Sequence, residues 1–236
     1  MKTVLEKASQ RGHAQFKWLN TYYSFSFADY YNPERMGFGA LRVLNDDTIA
    51  PAGGFDMHPH KNMEVITILL KGSLHHCDSG GHEDMIRWGQ IQVMSTGTGL
   101  YHSEFNDDSD EISTELLQIW VIPSQMDTPP KYGVYDILNV LKENQFSSII
   151  APDGSAPASI LQDAWFSIGE LKHGIKLDYQ LHKPHNGVYV FMLGGQIKVA
   201  KYELYAKDGL GIWNTDSVSF EAVQDSTVLL IEVPMK

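Results

Sequence analysis

Gly53-Gly54-Phe55-Asp56-Met57-His58-Pro59-His60-Lys61-Asn62-Met63-Glu64 and Met94-Ser95-Thr96-Gly97-Thr98-Gly99-Leu100-Tyr101-His102-Ser103-Glu104-Phe105-Asn106 follow the same pattern. Each is bounded by glycine, and each carries two metal-ligand side chains spaced i, i+2: His58 and His60 in one, His102 and Glu104 in the other. On an extended backbone successive side chains alternate faces, so an i, i+2 pair points one way. Two such strands laid side by side could aim three imidazoles and one carboxylate at a single point, which is the arrangement of a metal site.

The chain around these stretches reads as β-structure. From Ala40 to Pro123 short apolar runs alternate with turn residues. Ala40–Leu44 precedes Asn45-Asp46-Asp47, read as a turn, and Val65–Leu70 precedes Lys71-Gly72. Asp78-Ser79-Gly80-Gly81 suits a hairpin tip, Gly89 introduces Ile91–Met94, and Leu116–Ile122 closes the set. Many short strands with glycine punctuation predict an antiparallel barrel or jelly roll. Upstream, Tyr23-Ser24-Phe25-Ser26-Phe27 alternates as a half-buried strand would, in an aromatic-dense segment expected to pack as core. After Pro129-Pro130 the pattern shifts, and Val134, Ile137, Leu138 and Leu141 fit one face of a short helix.

The last third echoes the first. Gly187–Gly195 resembles Glu64–Gly72, Asp208–Asn214 resembles Trp88–Met94, and Val228–Pro234 resembles Leu117–Pro123, in the same order. The echo predicts two related β domains in tandem, residues 1–143 and 144–236. The second copy lacks the ligands: Thr215–Phe220 has no His-x-Glu, and His182 and His185 are spaced i, i+3. It is expected to be metal-free.

The totals limit what partners the chain can have. At 236 residues, with 43% apolar and 20% charged residues, there is ample material for globular cores. A net charge of -11 without a Lys/Arg-rich run argues against direct contact with nucleic acid. Cys77 is the single cysteine, so no intrachain disulfide can form. Together with an N-terminus lacking a signal-like apolar stretch and the absence of any run long enough to span a bilayer, this gives a cytoplasmic expectation with no membrane contact.

Taken together, Gly-x-x-x-His-x-His-x-x-x-Glu and the downstream Gly97…His102-x-x-x-Asn106 resemble the two motifs of the cupin superfamily. Gly12-His13, Ser24–Tyr31, Met36-Gly37-Phe38, Leu41-Arg42-Val43, His58-Pro59-His60 and the stretch from Met94 to Glu104 resemble the pirin family more closely. The resemblance implies two tandem cupin (jelly-roll) barrels, the N-terminal one holding one divalent transition metal through His58, His60, His102 and Glu104. Iron is the foremost candidate, with Mn, Co, Ni, Cu or Zn as alternatives. In most cupins the carboxylate ligand is the one at the Glu64 position; with Glu104 as ligand, Glu64 is expected behind the ligands, accepting an imidazole N–H, and Glu64 as the ligand in place of Glu104 is the alternative. For the bacterial members the resemblance implies quercetin 2,3-dioxygenase activity. There the 3-hydroxyl of a flavonol loses its proton, with Glu104 the expected acceptor, and dioxygen opens the heterocycle with loss of carbon monoxide. Two other readings stand beside it: a metal-dependent binding protein with a protein partner, as described for eukaryotic pirins, and a cupin oxygenase with another small substrate. The remaining histidines, His76 among them, are read as structural.

Overall fold

The computed structural model describes residues 1–107 and 112–235. In the first half the strands are β1 (Lys2–Glu6), β2 (Gly12–Gln15), β3 (Leu19–Tyr23), β4 (Leu41–Ile49), β5 (Gly54–His60), β6 (Glu64–Lys71), β7 (Ser73–Asp78), β8 (Glu83–Arg87), β9 (Gln90–Ser95), β10 (Leu100–Phe105), β11 (Thr114–Val121) and β12 (Lys131–Asp136). The second half contributes β13 (Phe146–Ile150), β14 (Trp165–Leu171), β15 (Lys176–Gln180), β16 (Asn186–Gly194), β17 (Gln196–Val199), β18 (Tyr202–Tyr205), β19 (Gly209–Trp213), β20 (Ser217–Ala222) and β21 (Ser226–Pro234). The only helical element among the described residues is a single 3-10 turn at Ala8–Gln10.

Each half folds as a large sheet facing a smaller one, giving the two cupin barrels that the sequence predicts. The first pairs the order β12-β9-β6-β11-β4-β3-β2 with β5-β10-β7-β8, and the second pairs β1-β19-β16-β21-β14-β13 with β15-β20-β17-β18. The three echoed segments occupy matching places: β6 lies between β9 and β11, and β16 lies between β19 and β21. β1 crosses over to pair with β19 of the second barrel, Lys2 opposite Trp213. Its Glu6 is buried against Arg35 and accepts a hydrogen bond from the Tyr189 hydroxyl (2.6 Å). A shared apolar core joins the two large sheets, with Leu41, Ile66 and Ile119 from one and Phe166, Tyr189 and Ile231 from the other.

The barrel interiors differ in chemistry. The register sets Thr67 opposite both Gln92 and Gln118 in the first barrel, all three buried or nearly so. The corresponding strands of the second barrel set Val190 opposite Leu210 and Leu230, inside a continuous aliphatic cluster. Packing without voids is what stabilises a core, so the second barrel is filled where the first leaves polar side chains facing inward.

Three local expectations need correction. The helix expected from Val134 to Leu141 is instead β12, paired along β9 from Lys131↔Ser95 to Asp136↔Gln90, followed by a turn in which Val140 N–H donates to the Ile137 carbonyl (3.1 Å). A short helix carries a nucleation cost and little propensity, and the open edge of β9 satisfies six residues of backbone instead. Asn45-Asp46-Asp47 is not a turn but the middle of β4, with Asn45 and Asp47 buried. The strand expected through Phe27 ends at Tyr23, because the chain bends at Ala28 (φ 47°) to close the Phe27↔Tyr30 bridge. Phe25 and Phe38 join the core as expected, whereas Trp18 and Phe27 line a cavity.

Candidate metal centre

β5 and β10 are antiparallel neighbours, with His102 directly opposite His58 and Leu100 opposite His60. The alternation expected along β10 holds: Leu100, His102 and Glu104 are buried, while Tyr101 is exposed. Between His102 and Glu104 the register with β5 slips, so Glu104 faces Phe55 on that side and His76 of β7 on the other. Such a bulge re-aims a side chain locally. Gly97 (φ 44°) makes the turn into β10, and a Cβ there would collide with the Thr128 carbonyl.

The three imidazoles converge. Donor atoms of His58, His60 and His102 all lie within 4.8 Å of one another. The rings are 4.4 Å (His58–His102), 4.8 Å (His60–His102) and 4.9 Å (His58–His60) apart, centroid to centroid. His58 Nδ1–H donates to the Asp56 carbonyl (2.8 Å), which leaves Nε2 as the lone-pair nitrogen of the neutral ring. Burial, and then repulsion from neighbouring imidazoles, pushes His60 and His102 down to about 3. Both are therefore neutral at pH 7, with lone pairs available. His102 is fully buried, and neither of its ring nitrogens finds a hydrogen-bond partner among the described residues. A buried imidazole with two orphaned nitrogens is costly unless something binds it, so these residues fit a cation.

Glu104 is 1% exposed and held from three sides. Gln92 Nε2 and the Thr67 hydroxyl donate to Oε1 (2.9 and 3.3 Å), and Gln118 Nε2 donates to Oε2 (2.9 Å). Burial raises its pKa, while His76 and these donors oppose the rise. Its carboxylate groups with His102 and His76, one donor atom from each within 4.8 Å of the others. His102 is thus common to the imidazole cluster and to the cluster containing Glu104.

His76 is the residue that sequence reasoning missed. Adjacent His75 and His76 do face opposite sides, and His76 is the one that points inward, fully buried. Its Nε2 lies 3.4 Å from Asp78 Oδ2, and its Nδ1 has no hydrogen-bond partner among the described residues. The signal was available in the i, i+2 pair His76/Asp78 on β7, which repeats the spacing of His58/His60 and of His102/Glu104. Glu64 also departs from expectation. It accepts from Ser95 Oγ (2.6 Å) with the Leu161 backbone also nearby, and among the described residues no hydrogen bond joins it to an imidazole. β6 turns that side chain towards β9 and Leu161 instead.

The pirin family model matches residues 4–121, and the quercetinase C-terminal cupin domain model matches residues 148–233. A quercetin 2,3-dioxygenase of Escherichia coli (strain K12) is 38% identical over 232 residues, 98% of each chain. The chain belongs to the pirin family. A pirin-like protein of Caulobacter vibrioides is 34% identical over 223 residues, covering 94% of this chain and 95% of its own. The crystal structure of the bacterial pirin YhhW from Escherichia coli in complex with nickel(II) superposes with a TM-score of 0.93 at 35% identity, covering 100% of both chains.

The pirin barrel opens beside the imidazoles into a cavity of about 470 Å³. Trp18, Phe27, Phe55 and Trp120 give it aromatic walls, and His58, His60 and Glu104 form part of its lining. Trp120 packs edge-on against His60, centroids 4.8 Å apart at 89°. Met57 is exposed and does not line the cavity, as strand alternation requires. A cavity of this size with apolar walls and a few convergent polar groups suits a small aromatic ligand. No helix among the described residues is long and apolar enough to cross a membrane.

Proposed function

We propose that this chain is a metal-dependent dioxygenase that cleaves flavonols such as quercetin, with dioxygen as co-substrate. His58, His60, His102 and Glu104 are the proposed ligands, and iron is the foremost metal, ahead of Mn, Co, Ni, Cu or Zn. The observation that carries the reading is the set of three mutually close imidazoles, two of them kept neutral by burial, beside an aromatic-walled cavity that Glu104 also lines. Imidazole and carboxylate donors suit a mid-row divalent ion, and the nickel complex of YhhW and the naming of the Escherichia coli relative support the same assignment.

A divalent metal bound there supplies Lewis acidity and an open coordination position. The protein's own groups do the rest. Trp18, Phe27, Phe55 and Trp120 exclude water from the ring system and hold it flat. Glu104, whose proton affinity burial has raised, takes the proton of the flavonol 3-hydroxyl, and Gln92 and Gln118 fix the direction in which its carboxylate points. Asp56 locks the tautomer of His58, so the same nitrogen always faces the site.

Oxygen uptake and carbon monoxide release, measured with quercetin after reconstitution with each metal in turn, test the proposal. Turnover with at least one metal, abolished in His102→Ala, is expected. Inactivity with every metal in a protein that still binds metal stoichiometrically would refute it.

A further inference from the structure

The cavity also carries two buried polar side chains, each with an oxygen that finds no hydrogen-bond partner among the described residues. Asn45 and Asp47 stand i, i+2 on β4, each 3% exposed, and both line the cavity beside the imidazoles. Neither Oδ1 has a hydrogen-bond partner among the described residues. Across the sheet Asn45 is opposite Gln118, whose amide nitrogen already donates to Glu104, and Asp47 is opposite Thr21. The Thr21 hydroxyl is near enough to ease the charge on Asp47 but has no partner in hydrogen-bond geometry itself. The neighbouring charges that bear on Asp47, Asp46 and Glu104, are both negative. Burial together with those charges pushes its carboxyl up to about 7.

A buried acceptor without a donor is a standing cost, largest for a carboxylate. Such groups persist in native structures when a ligand or water completes them. The surroundings of these two narrow the ligand class. Trp18, Phe27 and Phe55 flank both Asn45 and Asp47, and the same five residues also border an adjoining apolar pocket of about 230 Å³. Aromatic faces next to lone acceptors match a flat ring that carries hydroxyl donors on its edge. An aliphatic or anionic ligand would leave the acceptors unsatisfied or repelled.

We propose that Asn45 and Asp47 form a recognition subsite for phenolic hydroxyls, on the part of the substrate that does not engage the imidazole cluster. Asp47 accepts a hydrogen bond from one hydroxyl, and Asn45 holds a neighbouring one. The subsite selects polyhydroxylated flavonols over flavonols that bear only the 3-hydroxyl, because the latter bury the same acceptors without pairing them. This deepens the reading of the cavity as a flavonol site and rests on it.

The test is anaerobic binding to the nickel-loaded full chain, followed by absorbance, with quercetin and with 3-hydroxyflavone as the two probes. One buried hydrogen bond to an acidic acceptor corresponds to a preference of about tenfold or more. Wild-type protein is expected to bind quercetin at least about tenfold tighter than 3-hydroxyflavone, and Asp47→Leu is expected to lower the ratio by about tenfold, leaving only what Asn45 contributes. Binding of both probes with equal affinity by the wild type, or an unchanged ratio in Asp47→Leu, overturns the subsite while leaving the flavonol reading intact; it would mean that water fills the position. Binding of neither probe refutes the substrate class itself, and the subsite with it. Should Asp47→Leu fail to fold, Asp47→Asn keeps the shape and replaces one acceptor by a donor; its ratio is expected to fall at least about threefold, and an unchanged ratio overturns the proposal equally.

Discussion

Gln92→Leu probes how the barrel prepares its carboxylate. In the native site Gln92 Nε2 donates to Glu104 Oε1 at 2.9 Å, in a fully buried setting. A hydrogen bond to a charged group contributes about 1.5–3 kcal/mol, so its loss shifts the ionisation balance of Glu104 towards the protonated acid by roughly ten- to a hundredfold. A protonated carboxyl is a poor ligand and no base. Affinity for nickel, measured by competition with a chromogenic chelator, is therefore expected to fall by about ten- to a hundredfold, a size typical of groups that orient ligands. The acid limb of the pH–rate profile is expected to move to higher pH. Thermal stability of the metal-free protein is expected to fall as well, because leucine there would face Thr67 and leave a buried carboxylate with one donor fewer. Unchanged nickel affinity and pH profile, with a drop in melting temperature alone, would show that the amide serves the fold rather than Glu104, and the reasoning would be refuted.

Further outcomes follow from the same geometry. Nickel at a hundredfold excess over its dissociation constant is expected to stabilise the protein by about 2.7 kcal/mol, read as a rise in melting temperature that His102→Ala abolishes. In metal-free protein His60 and His102 titrate near 3 when folded and near 6.5 when unfolded. The unfolded chain therefore binds more protons between these values, so stability present above pH 6.5 is lost as pH falls towards about 3; melting temperatures of chelated protein from pH 7 to pH 4 check this. Asp47 has the opposite sign: its folded value of about 7 lies above its ordinary 3.8, so the stability present at low pH is lost as pH rises through 7. Asp47→Asn is accordingly expected to stabilise the protein more at pH 8 than at pH 5, and the reverse order in thermal melts would contradict its burial as a strained acid. Trp120→Ala opens the wall against His60 and is expected to weaken flavonol binding by about tenfold or more through lost aromatic contact, with nickel affinity nearly unchanged.

The sequence by itself determined the features that depend only on a period of two. His58 with His60, and His102 with Glu104, had to share a face once each segment was extended, and the echo between Glu64–Gly72 and Gly187–Gly195 marked two strands that occupy matching places in the two large sheets. Glycine-bounded segments were legible for the same reason, since backbone requirements such as that of Gly97 are local. The tertiary structure decided which strands became neighbours. That pairing brings β7 beside β10, so His76 enters the site although nothing in its own segment says which strand it will lie beside. It also supplies Gln92 and Gln118, each from a different strand, as donors to Glu104, and turns Glu64 away to Ser95. The short apolar stretch at Val134–Leu141 illustrates the same limit: helical periodicity was present, but a free sheet edge was nearby, and backbone pairing along β9 outweighed a weak local preference. Alternation is encoded residue by residue, whereas adjacency of strands distant in sequence is chosen by burial of the whole chain.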